Sequence, residues 1–318
     1  MNSENLNKFL VTFYSSLFIF TSILLLLKIS PLIFLLFNFL PLLLISSSTS
    51  ISNTFLSYTF SISLLFLLFN FDPSQSESLS IYFLINICFV FFLSFILTSF
   101  FKYSSVNNIK NYFAKSLSYS TITVSILLFI FFKVYFFEIN FDTTIDEIKK
   151  IYLSQIKDDK KIIDRELTNL INLTINIIPS INCVFYLALS IFNLLLAQKI
   201  MKKLDIKILR KITFNNFEVP NWFFFITVSL LVLTVMLNDQ PKIISLNIFL
   251  TFSFLIITKG LLIFLEFLKR RNLSISIKFL LLFLLFIFFS YLLVLFLFIL
   301  GVFEQLKKIY NESLKSGN

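Results

Sequence analysis

Long runs of apolar residues are the feature that most constrains this chain. The run 279–300 holds 22 residues without a charge, and several others approach that length. A helix that is apolar on every side must face lipid or a very large core, and about 20 such residues cross the hydrocarbon layer. The sequence therefore predicts an all-α, polytopic transmembrane bundle, whose first partner is the lipid bilayer.

The scarce residue types exclude several kinds of site. The chain has no His, and its glycines stand only at positions 260, 301 and 317. Phosphate-cradling loops need clustered glycines, and catalytic triads and many metal sites need histidine. Cys88 and Cys183 fall inside predicted spans and suggest neither a disulfide framework nor a zinc site. We expect no metal, no cofactor, no catalytic residues and no enzymatic activity.

Nine segments are candidate spans, two of them interrupted by proline. They are 9–27, 31–45, 51–71, 79–101, 117–137, 170–197, 222–237, 246–268 and 279–300. Proline removes a helical hydrogen bond and kinks or breaks the helix. We therefore expect the second segment to be a helix broken at Pro41 and the sixth to be kinked at Pro179.

The lysines and arginines indicate the orientation. They cluster in the loops after the fourth, sixth and eighth spans, and such loops stay in the cytoplasm. We expect a multi-pass protein of a bacterial inner membrane with a cytoplasmic N-terminus.

The number of spans is constrained by the basic tail. Nine spans would place Lys307, Lys308 and Lys315 outside, against the rule that basic residues stay in the cytoplasm. We expect about eight or nine spans. Either the count is eight or ten, or the tail breaks the rule. The weak point of the count is the second segment or the long last run, which could be a tight hairpin. The net charge of +10 follows this pattern and does not suggest nucleic acid.

One substantial segment, 138–169, lies outside the predicted spans. Thr144 and Glu147 fit a capping box, and Ile148, Tyr152 and Ile156 begin an apolar stripe at helical spacing. We expect an external amphipathic helical segment, as a connector, a lid or a membrane-surface helix. The chain then divides into an N-terminal transmembrane region 1–137, this segment 138–169, a C-terminal transmembrane region 170–305 and a polar tail 306–318.

A set of motifs in the C-terminal half resembles a known family. The run 216–222 reads Asn-Phe-Glu-Val-Pro-Asn-Trp and contains Pro220 and Trp222. Further positions are Pro179, Asn247, Lys259 with Gly260, and Gly301 followed by Glu304 and Gln305. This pattern resembles the YybS-like family of bacterial membrane proteins, a domain of unknown function, over about 170–305. The resemblance implies an inner-membrane protein, distantly likened to the S components of energy-coupling-factor transporters.

The chain departs from the family's pattern at three places. Glu304 stands where the family usually has Asp, Lys307 and Lys308 stand where an Arg is usual, and Lys259 stands where Gln is common. The S components also dock through an Ala-x-x-x-Ala pair on the first helix. This chain offers only the small residues Thr12 and Ser16 there.

Three polar residues inside apolar spans are candidates for a substrate path. An ionisable group in hydrocarbon costs about 2.5–3.5 kcal/mol, so Lys259 faces a cavity or a partner helix, or its stem snorkels to the interface. Asn182 and Asn193 lie eleven residues apart, so they share a helix face. They line a path or make interhelical hydrogen bonds. Glu266 is explained by a surface i,i+3 or i,i+4 pair with Lys269 or Arg270.

These observations favour a non-enzymatic membrane component for transport or substrate capture, because proline-interrupted helices with polar residues are typical of transporter sites. The alternative is a structural or assembly protein of the cell envelope that acts through helix contacts. The substrate is unknown, and another membrane-protein subunit is compatible with either reading.

Overall fold

The described part of the chain is helical throughout. The computed structural model describes residues 3–70, 88–100, 111–135, 160–205, 217–270 and 275–316, and these contain ten helices and no strand. The helices are α1 (Ser3–Ile29), α2 (Pro31–Phe37), α3 (Phe39–Ser48), α4 (Ile51–Asn70), α5 (Cys88–Phe100), α6 (Tyr112–Tyr135), α7 (Lys160–Lys203), α8 (Asn221–Met236), α9 (Asp239–Arg270) and α10 (Ile275–Ser316).

Four of the described helical segments are long and apolar enough to cross a membrane. They are Asn7–Ile29, Ile51–Leu68, Asn176–Lys203 and Asp239–Arg270. Shorter apolar segments occupy Ile33–Ser48, Cys88–Phe100 and Asn221–Met236. The helical, multi-pass architecture is therefore as the sequence predicts, while the total of eight or nine spans stays a prediction.

The chain forms two compact units. The first comprises residues 1–120 and 185–217, and the second comprises residues 121–184 and 218–318. The region limits expected at 137, 169 and 305 stay predictions. Of the expected external segment, residues 160–169 are helical and continue without a break into the rest of α7, while residues 138–159 lie outside the described part.

In the first unit, α1 and α4 pack side by side through small residues. The Ser57 hydroxyl donates to the carbonyl of Thr12 at 3.3 Å, and the Ser61 hydroxyl donates to the carbonyl of Ser16 at 3.0 Å. Both bonds join residues 45 positions apart, so the two helices run parallel. The Thr12 and Ser16 pair is therefore used inside the chain, where small side chains allow close helix contact.

Because α1 and α4 run parallel, the chain between them must return to the level at which α1 begins. The second candidate span makes this return as two short helices, α2 and α3. The break lies at Asn38 rather than at Pro41, where we expected it. The displacement has a simple cause. Pro41 has no N–H for the carbonyl four residues earlier, at Phe37, and its ring clashes with that carbonyl. The helix therefore ends there, and Pro41 is tolerated in the first turn of α3. The Tyr58 hydroxyl of α4 donates to the Leu42 carbonyl of α3 at 2.7 Å.

In the second unit, α9 and α10 meet backbone to backbone at two glycines. A Cβ on Gly260 would overlap the carbonyl group of Leu297 and lie 3.1 Å from the amide nitrogen of Gly301. A Cβ on Gly301 would overlap the carbonyl of Ile256 and lie 2.8 Å from its Cγ2. The two glycines thus face each other across one crossing, as expected for a glycine that lets another backbone approach.

The last apolar run is not a hairpin, contrary to one reading of the sequence. Residues 275–316 form one uninterrupted helix of 42 residues, α10. Its length is about 63 Å at 1.5 Å per residue, roughly twice the hydrocarbon thickness. No proline occurs in it, and its one glycine serves the crossing with α9 rather than a turn. The basic tail therefore continues the last helix.

We predict that Gly260→Ala destabilises the protein by about 1–3 kcal/mol, because the added methyl group overpacks the crossing. The sign of the effect is diagnostic. Without the crossing, alanine would stabilise the helix by up to about 1 kcal/mol relative to glycine. Thermal unfolding of the purified protein in detergent measures the difference. A melting temperature equal to or above that of the wild type would refute the glycine contact.

Candidate functional site

Asn193 is fully buried and bonded to the broken helix pair of the first unit. Its side-chain Nδ2 donates to the carbonyl of Leu36 at 2.8 Å and to the carbonyl of Leu189 at 2.9 Å. Leu36 lies in the last turn of α2, where carbonyls lose their helical partners. The structure therefore gives this amide the interhelical hydrogen bond that the sequence offered as one of two readings.

Pro179 of α7 is accommodated by a residue that the sequence analysis did not pair with it. Asn247 of α9 accepts a hydrogen bond from the backbone N–H of Ser180 at 3.0 Å and donates to the carbonyl of Asn176 at 2.7 Å. Those two backbone groups are donor and acceptor of one helical i to i−4 pair. A single buried carboxamide thus lies across the turn that the proline disturbs. The candidate expected near this break, Asn182, is instead exposed.

The three substrate-path candidates have different surroundings. Asn193 is buried in the first unit, Asn182 is exposed on α7, and Lys259 is half-buried on α9 in the second unit. Eleven residues make about three helical turns, so Asn182 and Asn193 do share one face of α7. The residues that pack against that face differ along the helix. Lys259 lines a cavity.

That cavity is small and charged, and we call it the lysine–glutamate cavity. Its volume is about 300 Å³. It is lined by Glu218, Lys259, Glu304, Gln305, Lys307, Lys308, Asn311 and Glu312. These residues come from the segment before α8, from α9 and from the end of α10. The lining side chains include three carboxylates and three ammonium groups, so the described wall is balanced in formal charge.

Ion pairs and hydrogen bonds tie the parts of this cavity together. The Lys308 Nζ lies 3.0 Å from Glu218 Oε2 and 3.7 Å from Glu312 Oε1. The Asn221 side chain donates to Glu312 Oε2 at 2.8 Å. These groups are partly exposed, and such ion pairs contribute little to stability, typically 0–1 kcal/mol. Folding stability therefore does not explain why these charged side chains are present.

Gln305 forms the buried floor of the same cluster. Its Nε2 donates to the carbonyl of Val219 at 3.0 Å and to Asn221 Oδ1 at 2.8 Å. The residue is only 2% exposed. Its Oε1 is buried and has no hydrogen-bond partner among the residues that the structure describes. An unsatisfied buried acceptor is costly, about 1–3 kcal/mol, so this oxygen is available for a donor that enters the cavity.

Lys259 is not surrounded by hydrocarbon alone, although its sequence position suggested depth. The carboxylates of Glu218 and Glu304 act electrostatically on its ammonium group. Trp222, exposed near the start of α8, stands four residues after Glu218 in the same motif run. By contrast, Glu266 forms the exposed pair with Arg270, at 2.9 Å, that the sequence predicts.

The motif positions of the C-terminal half converge on this unit. Pro220 is buried and caps the start of α8, Gly260 and Gly301 set the helix crossing, and Glu304 lines the cavity. Sequence reasoning did not anticipate the parts played by Glu218, Asn221 or Lys308. The first two stand inside the motif run 216–222, which was the available signal. No group of three Cys, Asp or Glu residues in the described ranges is arranged to hold a metal ion.

Comparison with known proteins gives one match. The family described as "Predicted membrane protein (DUF2232)" matches residues 16–304. No curated protein matches the chain, and no solved structure matches it.

We predict that Asn247→Leu destabilises the protein by about 1–3 kcal/mol, because both backbone groups beside Pro179 lose their side-chain partner. Asn182→Leu is the matched control. It replaces the exposed asparagine two residues beyond Ser180 and should change stability by less than about 0.5 kcal/mol. Thermal unfolding of both variants provides the measurement. Equal effects of the two substitutions would contradict the role of Asn247.

Proposed function

We propose, from the premise that the chain belongs to the DUF2232 family of predicted membrane proteins, that it is a non-enzymatic component for substrate capture or transport. It binds a small hydrophilic molecule in the lysine–glutamate cavity of its second unit. The YybS-like motifs support the same proposal, and so does the distant likeness of that family to transporter S components. That likeness is an analogy of fold and carries less weight than the site itself.

The observation that carries the proposal is the free-energy cost of placing charged side chains in this part of the apolar helices. Lys259 stands in a long apolar helix, next to a glycine that brings a second helix against it. Ionisable residues in such helices are expensive and are usually retained for function. Here the lysine lines a cavity whose ion pairs stabilise the fold little. Ligand pockets typically measure about 300–1,000 Å³, so the cavity suits a small ligand.

The lining groups favour a ligand with both donor and acceptor groups. Lys259 supplies a cation, Glu218 and Glu304 supply anions, and the buried oxygen of Gln305 accepts a hydrogen bond. A balanced wall of this kind favours a zwitterion or a neutral polar molecule over a multiply charged ion.

A structural or assembly role is the second candidate, and one observation favours it. Asn193 and Asn247, two asparagines of the apolar helices, make their hydrogen bonds within the fold. These interhelical bonds support a structural role, although the Oδ1 of Asn193 is buried without a hydrogen-bond partner among the described residues. A protein whose polar groups all served such contacts would need no ligand, so a bound molecule in the lysine–glutamate cavity is what separates the two candidates.

We predict that a small hydrophilic molecule co-purifies with the wild-type protein and that Lys259→Leu reduces it about tenfold or more. The reason is that loss of a hydrogen bond to a charged group costs roughly 1.5–3 kcal/mol. Lys259→Gln should retain the molecule, because glutamine keeps a donor. Mass spectrometry of small molecules released from the denatured, purified protein measures the ratio of ligand to protein.

The matched control is Lys242→Leu, which removes an exposed lysine from the other end of the same helix. It should leave the bound molecule unchanged. Thermal unfolding of each variant first verifies that it is folded. The proposal fails if no hydrophilic molecule co-purifies, or if Lys259→Leu and Lys242→Leu retain it equally.

A further inference from the structure

A second cavity lies in the first unit, between the parallel helices α1 and α4. Its volume is about 620 Å³, and it is partly open. It is separate from the lysine–glutamate cavity and has a different character, because most of its wall is apolar. We call it the α1–α4 groove.

The polar groups of this groove gather at one end. Lys8 lies in the second turn of α1, and Ser52 and Asn53 lie in the first turn of α4. The two helices run parallel, so these residues stand at the same level. Lys8 also stands at the start of the apolar segment Asn7–Ile29, where a helix that spans the bilayer would reach the lipid headgroups. An ammonium group, an amide and a hydroxyl thus line the same end of the groove.

The rest of the groove is suited to hydrocarbon. Phe9 and Phe13 stack with ring centroids 6.2 Å apart, and Phe60 lies 6.4 Å from Phe13. Leu56 lines the groove and is half exposed. The lining of α4 runs from Ser52 to Ser63, about 16 Å at 1.5 Å per residue, so the groove follows the helix from the headgroup level into the bilayer.

The hydroxyl groups deeper in the groove do not require a polar ligand. Thr12 donates to the Lys8 carbonyl at 2.9 Å, and Thr59 and Ser63 likewise donate to carbonyls of their own helix. Their donors are therefore satisfied without a ligand, and an apolar chain can lie beside them. The groove is amphipathic along its length, with a cationic head and an apolar body.

From this arrangement we propose that the α1–α4 groove binds an anionic phospholipid. Its phosphate lies at Lys8, Ser52 and Asn53, and one acyl chain lies along Phe9, Phe13 and Leu56. The bilayer supplies this ligand at high local concentration, and the charge of Lys8 complements the phosphate. A basic residue at a membrane surface contributes about 1 kcal/mol to the attraction of anionic lipid. The site is independent of the ligand proposed for the second unit.

Native mass spectrometry of the full-length protein, with phosphatidylglycerol or phosphatidylcholine added, tests the proposal. We expect preferential retention of one phosphatidylglycerol. Lys8→Gln should weaken that retention about fivefold, the factor that corresponds to 1 kcal/mol. Lys28→Gln, which removes an exposed lysine at the far end of α1, is the matched control and should have no effect on it.

A second pair of variants tests the apolar part. Leu56→Trp fills the groove and should reduce the bound lipid, whereas Leu67→Trp changes a residue of α4 with similar exposure outside the groove and should not. Equal binding of both lipids, or equal effects of Lys8→Gln and Lys28→Gln, would show non-specific annular lipid and overturn the proposal. Loss of a dimer in Leu56→Trp without loss of lipid would assign the groove to a second copy of the chain and also overturn it.

Discussion

The structure depends on one constraint: in lipid, every backbone N–H and C=O must find a partner inside the protein. Helices meet it by themselves, which is why the described residues are helical throughout. Two prolines break that solution within apolar segments. In each unit a buried asparagine from another helix bonds backbone groups near the proline. Asn193 donates to the carbonyl of Leu36, five residues before Pro41, and Asn247 bonds the Ser180 N–H and the Asn176 carbonyl on either side of Pro179.

This constraint divides the polar residues of the apolar segments into two groups. The side-chain amides of Asn193 and Asn247 donate to backbone carbonyls, and Ser57 and Ser61 bond α4 to α1. Six charged residues of the second unit line the lysine–glutamate cavity, where ion pairs between partly exposed groups contribute little to stability. For this reason the functional proposal rests on Lys259 and its carboxylate neighbours rather than on the asparagines.

Local patterns predicted the elements well, but not their partners. Apolar runs placed the helices, and Pro41 and Pro179 marked the disturbed ones. The break at Asn38 was displaced because proline acts on the carbonyl four residues before it. For Pro179 we looked to the nearby Asn182, whereas the partner is Asn247, 67 residues beyond Ser180. Such pairing is tertiary, and no periodicity within a helix reveals it.

The candidate site was predictable only in part for the same reason. Lys259 and Gly260 stood out because a charge and a small residue are rare in such a helix. That Glu218, Glu304 and Lys308 would surround the lysine depends on how α8, α9 and α10 pack. A double-mutant cycle between Pro179→Ala and Asn247→Leu tests the central claim most directly. If Asn247 serves the turn that Pro179 opens, Asn247→Leu should cost about 1–3 kcal/mol in the wild type and less than about 0.5 kcal/mol once alanine lets the turn close. Equal costs in the two backgrounds would contradict the account.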